Sequence, residues 1–174
     1  GREKHPINCV DWRQADTYCQ GRGLRLPTLA EWQLAAYGTD KRPYPWGREP
    51  PSASVANLAD LALRKKGSFN GIDTARFPLA SETDDGFATT SPVGAFAGGR
   101  SAFGVADMGG NLKEWVGSVR EDPFHPAGSP PSSVQPAGSS FASAGLGLLR
   151  TDYSLRSLEA KDVEIGFRCA KDGG

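Results

Sequence analysis

The stretch Phe103-Gly104-Val105-Ala106-Asp107-Met108-Gly109-Gly110-Asn111-Leu112-Lys113-Glu114-Trp115-Val116 constrains this chain more than any other. Glycines at 104, 109 and 110 permit backbone turns that a residue with a Cβ resists. Asn111 and Glu114 then place two side-chain oxygens three residues apart, beside carbonyls exposed by those turns. Hard oxygen donors of this kind suit a calcium ion, which takes about six to eight of them in flexible geometry. Trp115 follows at once and reads as a core anchor under the loop. A plainer reading competes with the metal: a glycine-rich turn capped by Asn111, with Glu114 in solvent.

Composition narrows the field. At 174 residues the chain is expected to be one domain, 1–174, long enough to bury a real core. Twenty lysines and arginines balance twenty aspartates and glutamates, so no charge excess points to nucleic acid or an anionic membrane. No apolar run approaches the roughly 20 residues of a membrane span, and no signal peptide opens the sequence. The 22 glycines and 13 prolines predict many turns and little regular structure. Two histidines and no Cys-x-x-Cys argue against a zinc or a three-histidine iron site. The cysteines, Cys9, Cys19 and Cys169, allow one disulfide and one free thiol and leave the pair open.

Along the chain, residues 5–10 read as an extended opening segment. Asp11 is an N-cap, and Trp12, Ala15, Tyr18 and Cys19 fall at helical spacing up to Gly21, with Cys19 facing the core beside Tyr18 or Trp12. Thr28 with Glu31 forms a capping box for a second helix that runs to Tyr37 and stops at Gly38. Tyr44-Pro45-Trp46-Gly47 is a turn with two aromatic anchors. Residues 48–92 read as a long irregular excursion, unusual in a compact domain unless function or a bound ion holds it. Asn57 and Asp85 are oxygen donors able to supply that hold, or else two ordinary turn residues. Residues 115–119 read as a strand, 121–138 as an exposed loop, and Phe141, Leu146, Leu148 and Leu149 as a strand. Residues 150–163 carry surface charge, and 165–170 form a buried last strand. His5 and His125 read as solvated.

The ordered set His5-Pro6, Val10-Asp11-Trp12, Tyr18-Cys19, Arg25-Leu26-Pro27-Thr28-x-x-Glu31-Trp32, Tyr44-Pro45-Trp46-Gly47, Ala56-Asn57, Asp85-Gly86-Phe87, Ser91-Pro92-Val93-Gly94, Gly110-Asn111-x-x-Glu114-Trp115 and Gly166-Phe167-Arg168-Cys169 resembles the formylglycine-generating enzyme (sulfatase-modifying factor) family. The resemblance covers nearly the whole chain. It implies an α+β, C-type-lectin-like variant fold, rich in loops, with two helices and short antiparallel strands. It also implies two calcium sites. One falls on the side chains of Asn57 and Asp85 with the carbonyls of Leu58 and Phe87, the other on Asn111 and Glu114 with a carbonyl such as that of Gly109. The family's disulfide falls on Cys19 and Cys169, leaving Cys9 as a free, buried thiol. The strands that precede the His-Pro segment in the family are not found, so the chain is read as a minimal member or as part of a larger protein.

Departures from the pattern bear on function. Catalytic members oxidise a substrate cysteine to formylglycine with two cysteines that bind copper(I), a soft ion that wants thiolates. Those positions fall on Ser143 and Leu148, and a second family disulfide falls on Ala36 and Tyr153, so neither pair is present. The expectation is therefore no copper and no enzyme: a calcium-stabilised, non-catalytic module that binds a protein or glycan ligand. Relatives of that kind occur as accessory paralogues, bacterial kinase sensor domains and variable proteins diversified by retroelements. Variable residues of the last sort lie near the C-terminus, here about 139–164, where Phe141, Arg150, Asp152, Tyr153 and Arg156 are the candidate contacts. The alternative is an enzyme of the same family with non-copper chemistry, for which Ser143 or Cys9 is the nucleophile on offer. A Cys19–Cys169 bond and a calcium requirement imply an extracytoplasmic or secreted protein; free thiols would imply a cytoplasmic one.

Overall fold

The computed structural model describes residues 1–40, 42–117, 119–120, 133–144 and 155–173. Helix α1 (Trp12–Gln20) starts where Asp11 accepts the Gln14 N–H, while the Gln14 side chain reaches back to the Asp11 N–H. That reciprocal pair satisfies two donors that a helix start leaves bare. Ala15 and Cys19 are buried on its inner face. Trp12 shares that side and donates its indole N–H to the Val116 carbonyl at 2.8 Å. Tyr18 does not: it is exposed, with the Arg22 guanidinium 5.0 Å above its ring. Helix α2 (Leu29–Tyr37) has the expected Thr28–Glu31 box and ends at Gly38, whose φ of 64° only glycine takes cheaply.

The excursion over 48–92 is more regular than its sequence suggested. Asp60 caps a short helix α3 (Leu61–Lys65), its Oδ1 accepting from the Ala62 and Leu63 N–H groups. Strands β1 (Ser68–Phe69) and β2 (Ile72–Asp73) follow as an antiparallel hairpin. Its turn is Asn70-Gly71, with φ of 51° and 77°, the positive pair that a type I′ turn demands.

One two-stranded sheet is parallel, alongside the expected short antiparallel strands. β3 (Lys113–Trp115) pairs with β7 (Ile165–Phe167), Glu114 lying opposite Gly166. A side chain at 166 would strike the Ile7 carbonyl at 2.5 Å, so glycine lets the opening segment cross the strand. β4 (Val119–Arg120), β5 (Ser133–Val134) and β6 (Arg156–Ser157) make a separate antiparallel sheet.

Residues 134–138 correct the exposed-loop expectation: all are buried. Ala137 exchanges two backbone hydrogen bonds of 2.8 Å with Glu114, and Gly138 lies against the Trp32 ring. Phe141 is in a turn, not a strand. Leu146, Leu148 and Leu149 lie outside the described residues, as do 121–132 with His125. His5 is half-buried, its Nδ1 3.0 Å from the Thr90 hydroxyl. The main core gathers Trp32, Trp115, Met108, Val134 and Ile165; a second cluster holds Leu63, Phe69, Leu112 and Phe141. Cys19 and Cys169 are bonded across 150 residues of sequence. Cys9 is free as expected but exposed, not buried, and its backbone is left-handed (φ 57°).

Candidate functional site

Hydrogen bonds join the segments carrying Asn57 and Asp85. Asn57 donates its side-chain amide to the Thr89 carbonyl at 2.7 Å, and the Asp85 N–H donates to Asp60 Oδ2 at 2.7 Å. Among the described residues, Asn57 Oδ1 and Asp85 Oδ2 are buried with no hydrogen-bond partner. Each such orphan costs about 1–3 kcal/mol. Burial pushes the Asp85 carboxyl up to about 7, opposed by the Phe87 N–H and reinforced by the neighbouring charges of Asp60 and Asp84. Leu58 is buried next to Asn57 and Phe87 is half-buried two residues beyond Asp85. A buried amide oxygen, a carboxylate short of positive charge and adjacent carbonyls are the donor chemistry of a calcium ion, so these residues fit one. Among the described residues no group of three or more His, Cys, Asp or Glu gathers to hold a metal, so a site here draws on amide and carbonyl oxygens.

The second expected set, Gly109, Asn111 and Glu114, does not fit an ion. Asn111 Oδ1 accepts from the Ser91 N–H at 3.0 Å, and its amide donates to the Ser91 carbonyl. Gly109 packs against the Trp46 ring. Both Glu114 oxygens are taken: Arg168 grips the carboxylate with Nε and Nη2, and Trp32 donates its indole N–H to Oε2 at 2.7 Å. Arg168 Nη2 also donates to the carbonyls of Ala106 and Asp107. Burial works against that guanidinium's charge, but Glu114 and Asp107 outweigh it and hold it protonated. Asp107 completes the cluster. Its carboxylate accepts from the Gly94 N–H at 2.6 Å, and burial raises its pKa. A cavity of about 260 Å³ opens beside Asp107, Glu114 and Arg168.

The expected ligand surface is partly inside the protein. Phe141 is 2 % exposed and stacks edge-on against Phe69, so it is a core residue and not a contact residue. Arg156 is half-buried on β6. Arg150, Asp152, Tyr153 and Leu148 lie outside the described residues. Ser143 accepts the Ser140 N–H at 2.9 Å, while the Ser140 hydroxyl donates to Glu164 Oε2 at 2.6 Å. Sequence reasoning missed Asp60, Ser140, Glu164 and the role of Arg168. Only Asp60 carried a local signal, an aspartate directly before Leu-Ala-Leu-Arg.

Residues 1–173 match the profile of the sulfatase-modifying factor enzyme 1-like domain. The chain belongs to that family. It is 32% identical over 98% of its length to a formylglycine-generating enzyme of Thermomonospora curvata, covering 57% of that protein. It is 31% identical over 97% of its length to an inactive Cα-formylglycine-generating enzyme 2 of Mus musculus, covering 50% of it. A hercynine oxygenase of Mycolicibacterium thermoresistibile is 34% identical over 65% of this chain and 21% of its own. The chain thus spans about half the length of the formylglycine-generating relatives it matches. Among solved structures, PvdO from Pseudomonas aeruginosa has a TM-score of 0.64 at 25% identity, covering 94% of this chain and 60% of that one. Treponema denticola variable protein 1 shares the fold, with a TM-score of 0.63 at 18% identity over 96% and 71% of the two chains. The fold is therefore that of the formylglycine-generating enzymes, α+β and loop-rich.

These relatives correct one expectation. The chain was expected to be no enzyme because Ser143 and Leu148 stand where the copper thiolates would be. Relatives named as formylglycine-generating enzymes and a hercynine oxygenase overturn that inference, although an inactive member is also among them.

Proposed function

We propose that this domain is a calcium-stabilised ligand-binding module. One ion is held by the side chains of Asn57 and Asp85 with the carbonyls of Leu58 and Phe87, and the loop-built surface near residues 139–164 meets a protein or glycan ligand. The observation that carries the calcium reading is the pair of buried, unbonded oxygens on Asn57 and Asp85. With Phe141 in the core, the contact set reduces to Arg150, Asp152, Tyr153 and Arg156. Tyrosine and arginine suit such surfaces. No copper takes part, since a serine hydroxyl is a poor copper(I) ligand. The Cys19–Cys169 disulfide supports an extracytoplasmic location.

Thermal unfolding in calcium and in excess chelator tests the reading. A ligand of the folded state adds about 2.7 kcal/mol at a hundredfold excess over its dissociation constant. The expected result is a rise in Tm that Asn57→Ala abolishes; equal melting in both conditions overturns the calcium site.

A second reading, an enzyme of this family with non-copper chemistry, is favoured by the relatives' names and by the Ser143–Ser140–Glu164 network. Incubation with a Cys-x-Pro-x-Arg peptide, with and without copper, followed by mass analysis, decides how much of the family's activity remains. Copper-dependent turnover would overturn the assignment of Ser143 and Leu148.

A further inference from the structure

The loop that carries Asn57 is bonded to the turn that carries Ser143, both directly and through Asn111. Ala59 donates its N–H to the Ser143 carbonyl at 3.1 Å. The Asn111 N–H donates to the Asn57 carbonyl at 2.8 Å, and the Asn111 carbonyl in turn accepts the Phe141 N–H at 3.0 Å. Gly110 completes the contact: its N–H donates to the Ser139 hydroxyl, and a Cβ there would lie 2.3 Å from the Asn57 carbonyl oxygen. Segments 57–59, 110–111 and 139–143 are therefore in backbone contact with no side chain between the first two. Meanwhile the side chain of Asn57 ends in an oxygen with nothing to hold it.

We propose that calcium at Asn57 and Asp85 orders the Ser139–Ser143 turn. The inference rests on the calcium reading above. An ion that fixes the Asn57 side chain and the Leu58 carbonyl restrains the backbone on either side of them. That backbone holds Asn111 and Ser143 by hydrogen bonds whose opening requires it to move. Restraining it lowers the frequency of local opening at the turn, which couples two sites without any change of mean structure. The coupling is reciprocal: whatever orders the turn tightens calcium binding.

Amide hydrogen exchange of the whole chain, with calcium or with chelator, tests this, using the metal alone as the probe. The expected result is slowing of the Ala59, Asn111 and Phe141 amides by about tenfold or more beyond any slowing in the helices at Ala15 and Trp32. In Asp85→Asn the effect is expected to vanish while Tm in chelator stays at or above the wild-type value. If calcium raises Tm but slows only residues 57–60 and 85–89, or slows all amides equally, the coupling is wrong and the calcium site stands. If calcium changes neither Tm nor exchange, the calcium site fails and the coupling fails with it.

Discussion

Glu114 reads in sequence as a donor beside a glycine turn, and in the structure it is one half of a buried ion pair. The difference is Arg168, 54 residues further on, whose guanidinium meets both carboxylate oxygens. No local pattern announces a partner that distant, so neither the charge balance nor the burial of Glu114 was legible, whereas Trp115 as a core anchor was. Breaking such a pair strands a charge in the interior. Arg168→Met is expected to cost about 3–5 kcal/mol, read as a lower midpoint in urea with an unchanged slope. Asp85 behaves in the opposite sense, because no cation among the described residues pairs with its carboxyl. Its pKa in the folded protein is raised to about 7 from an ordinary 3.8, so the native state holds a proton that the unfolded chain has already lost. Stability of the metal-free protein should therefore fall as pH rises from about 4 to about 7. Calcium and that proton compete, so calcium affinity should weaken as pH drops below about 7. Titration calorimetry in buffers of different ionisation enthalpy would show proton release on binding; no release would remove Asp85 from the site.

At the scale of elements, what was legible followed from capping chemistry. Asp11 and Thr28 fix the starts of α1 and α2, and Gly38 stops α2, because each supplies or removes a hydrogen bond at a known position. Thr28→Ala is expected to cost about 1 kcal/mol, measured by chemical denaturation. Glu31, on the other side of that box, also grips Arg25, and the Arg25 guanidinium and the Thr28 donors hold its carboxyl down at about 2. A lowered acid contributes stability above its unfolded value of about 4.5 that is lost as pH falls towards 2. The stability gap between wild type and Glu31→Gln should close over that window; a constant gap would mean the ion pair contributes nothing. The Asn70-Gly71 hairpin and the Asp60 cap carried equally local signals that a reading of 48–92 as one irregular loop passed over. The last strand was legible within 165–170, where β7 (Ile165–Phe167) lies; most of the others, with two or three residues each, are too short for alternation to register.

Across the molecule, the short strands and small sheets of the described residues leave much of the holding to long-range ties. The Cys19–Cys169 bond closes almost the entire chain, joining α1 to the segment after β7. In the chain-entropy account, a loop of this length lowers the entropy of the unfolded state by an amount worth up to about 5 kcal/mol. The total stability of a domain is about 5–15 kcal/mol, so the bond is a large share of what keeps this loop-rich fold closed. Reduction, or the Cys19→Ala and Cys169→Ala pair, is therefore expected to lower Tm by many degrees, more than removal of calcium from a single site does. Thiol counting separates the two classes of cysteine: exposed Cys9 should react with a thiol reagent in the native protein, whereas Cys19, which is fully buried, should react only after reduction. If native protein shows three reactive thiols and melts alike with and without reductant, the bond does not hold the fold. The Arg168–Glu114 pair and the core around Trp32 and Trp115 would then close the molecule by themselves. If one thiol reacts and reductant lowers the melt, the fold depends on an oxidising environment, which is the condition under which the extracytoplasmic reading stands.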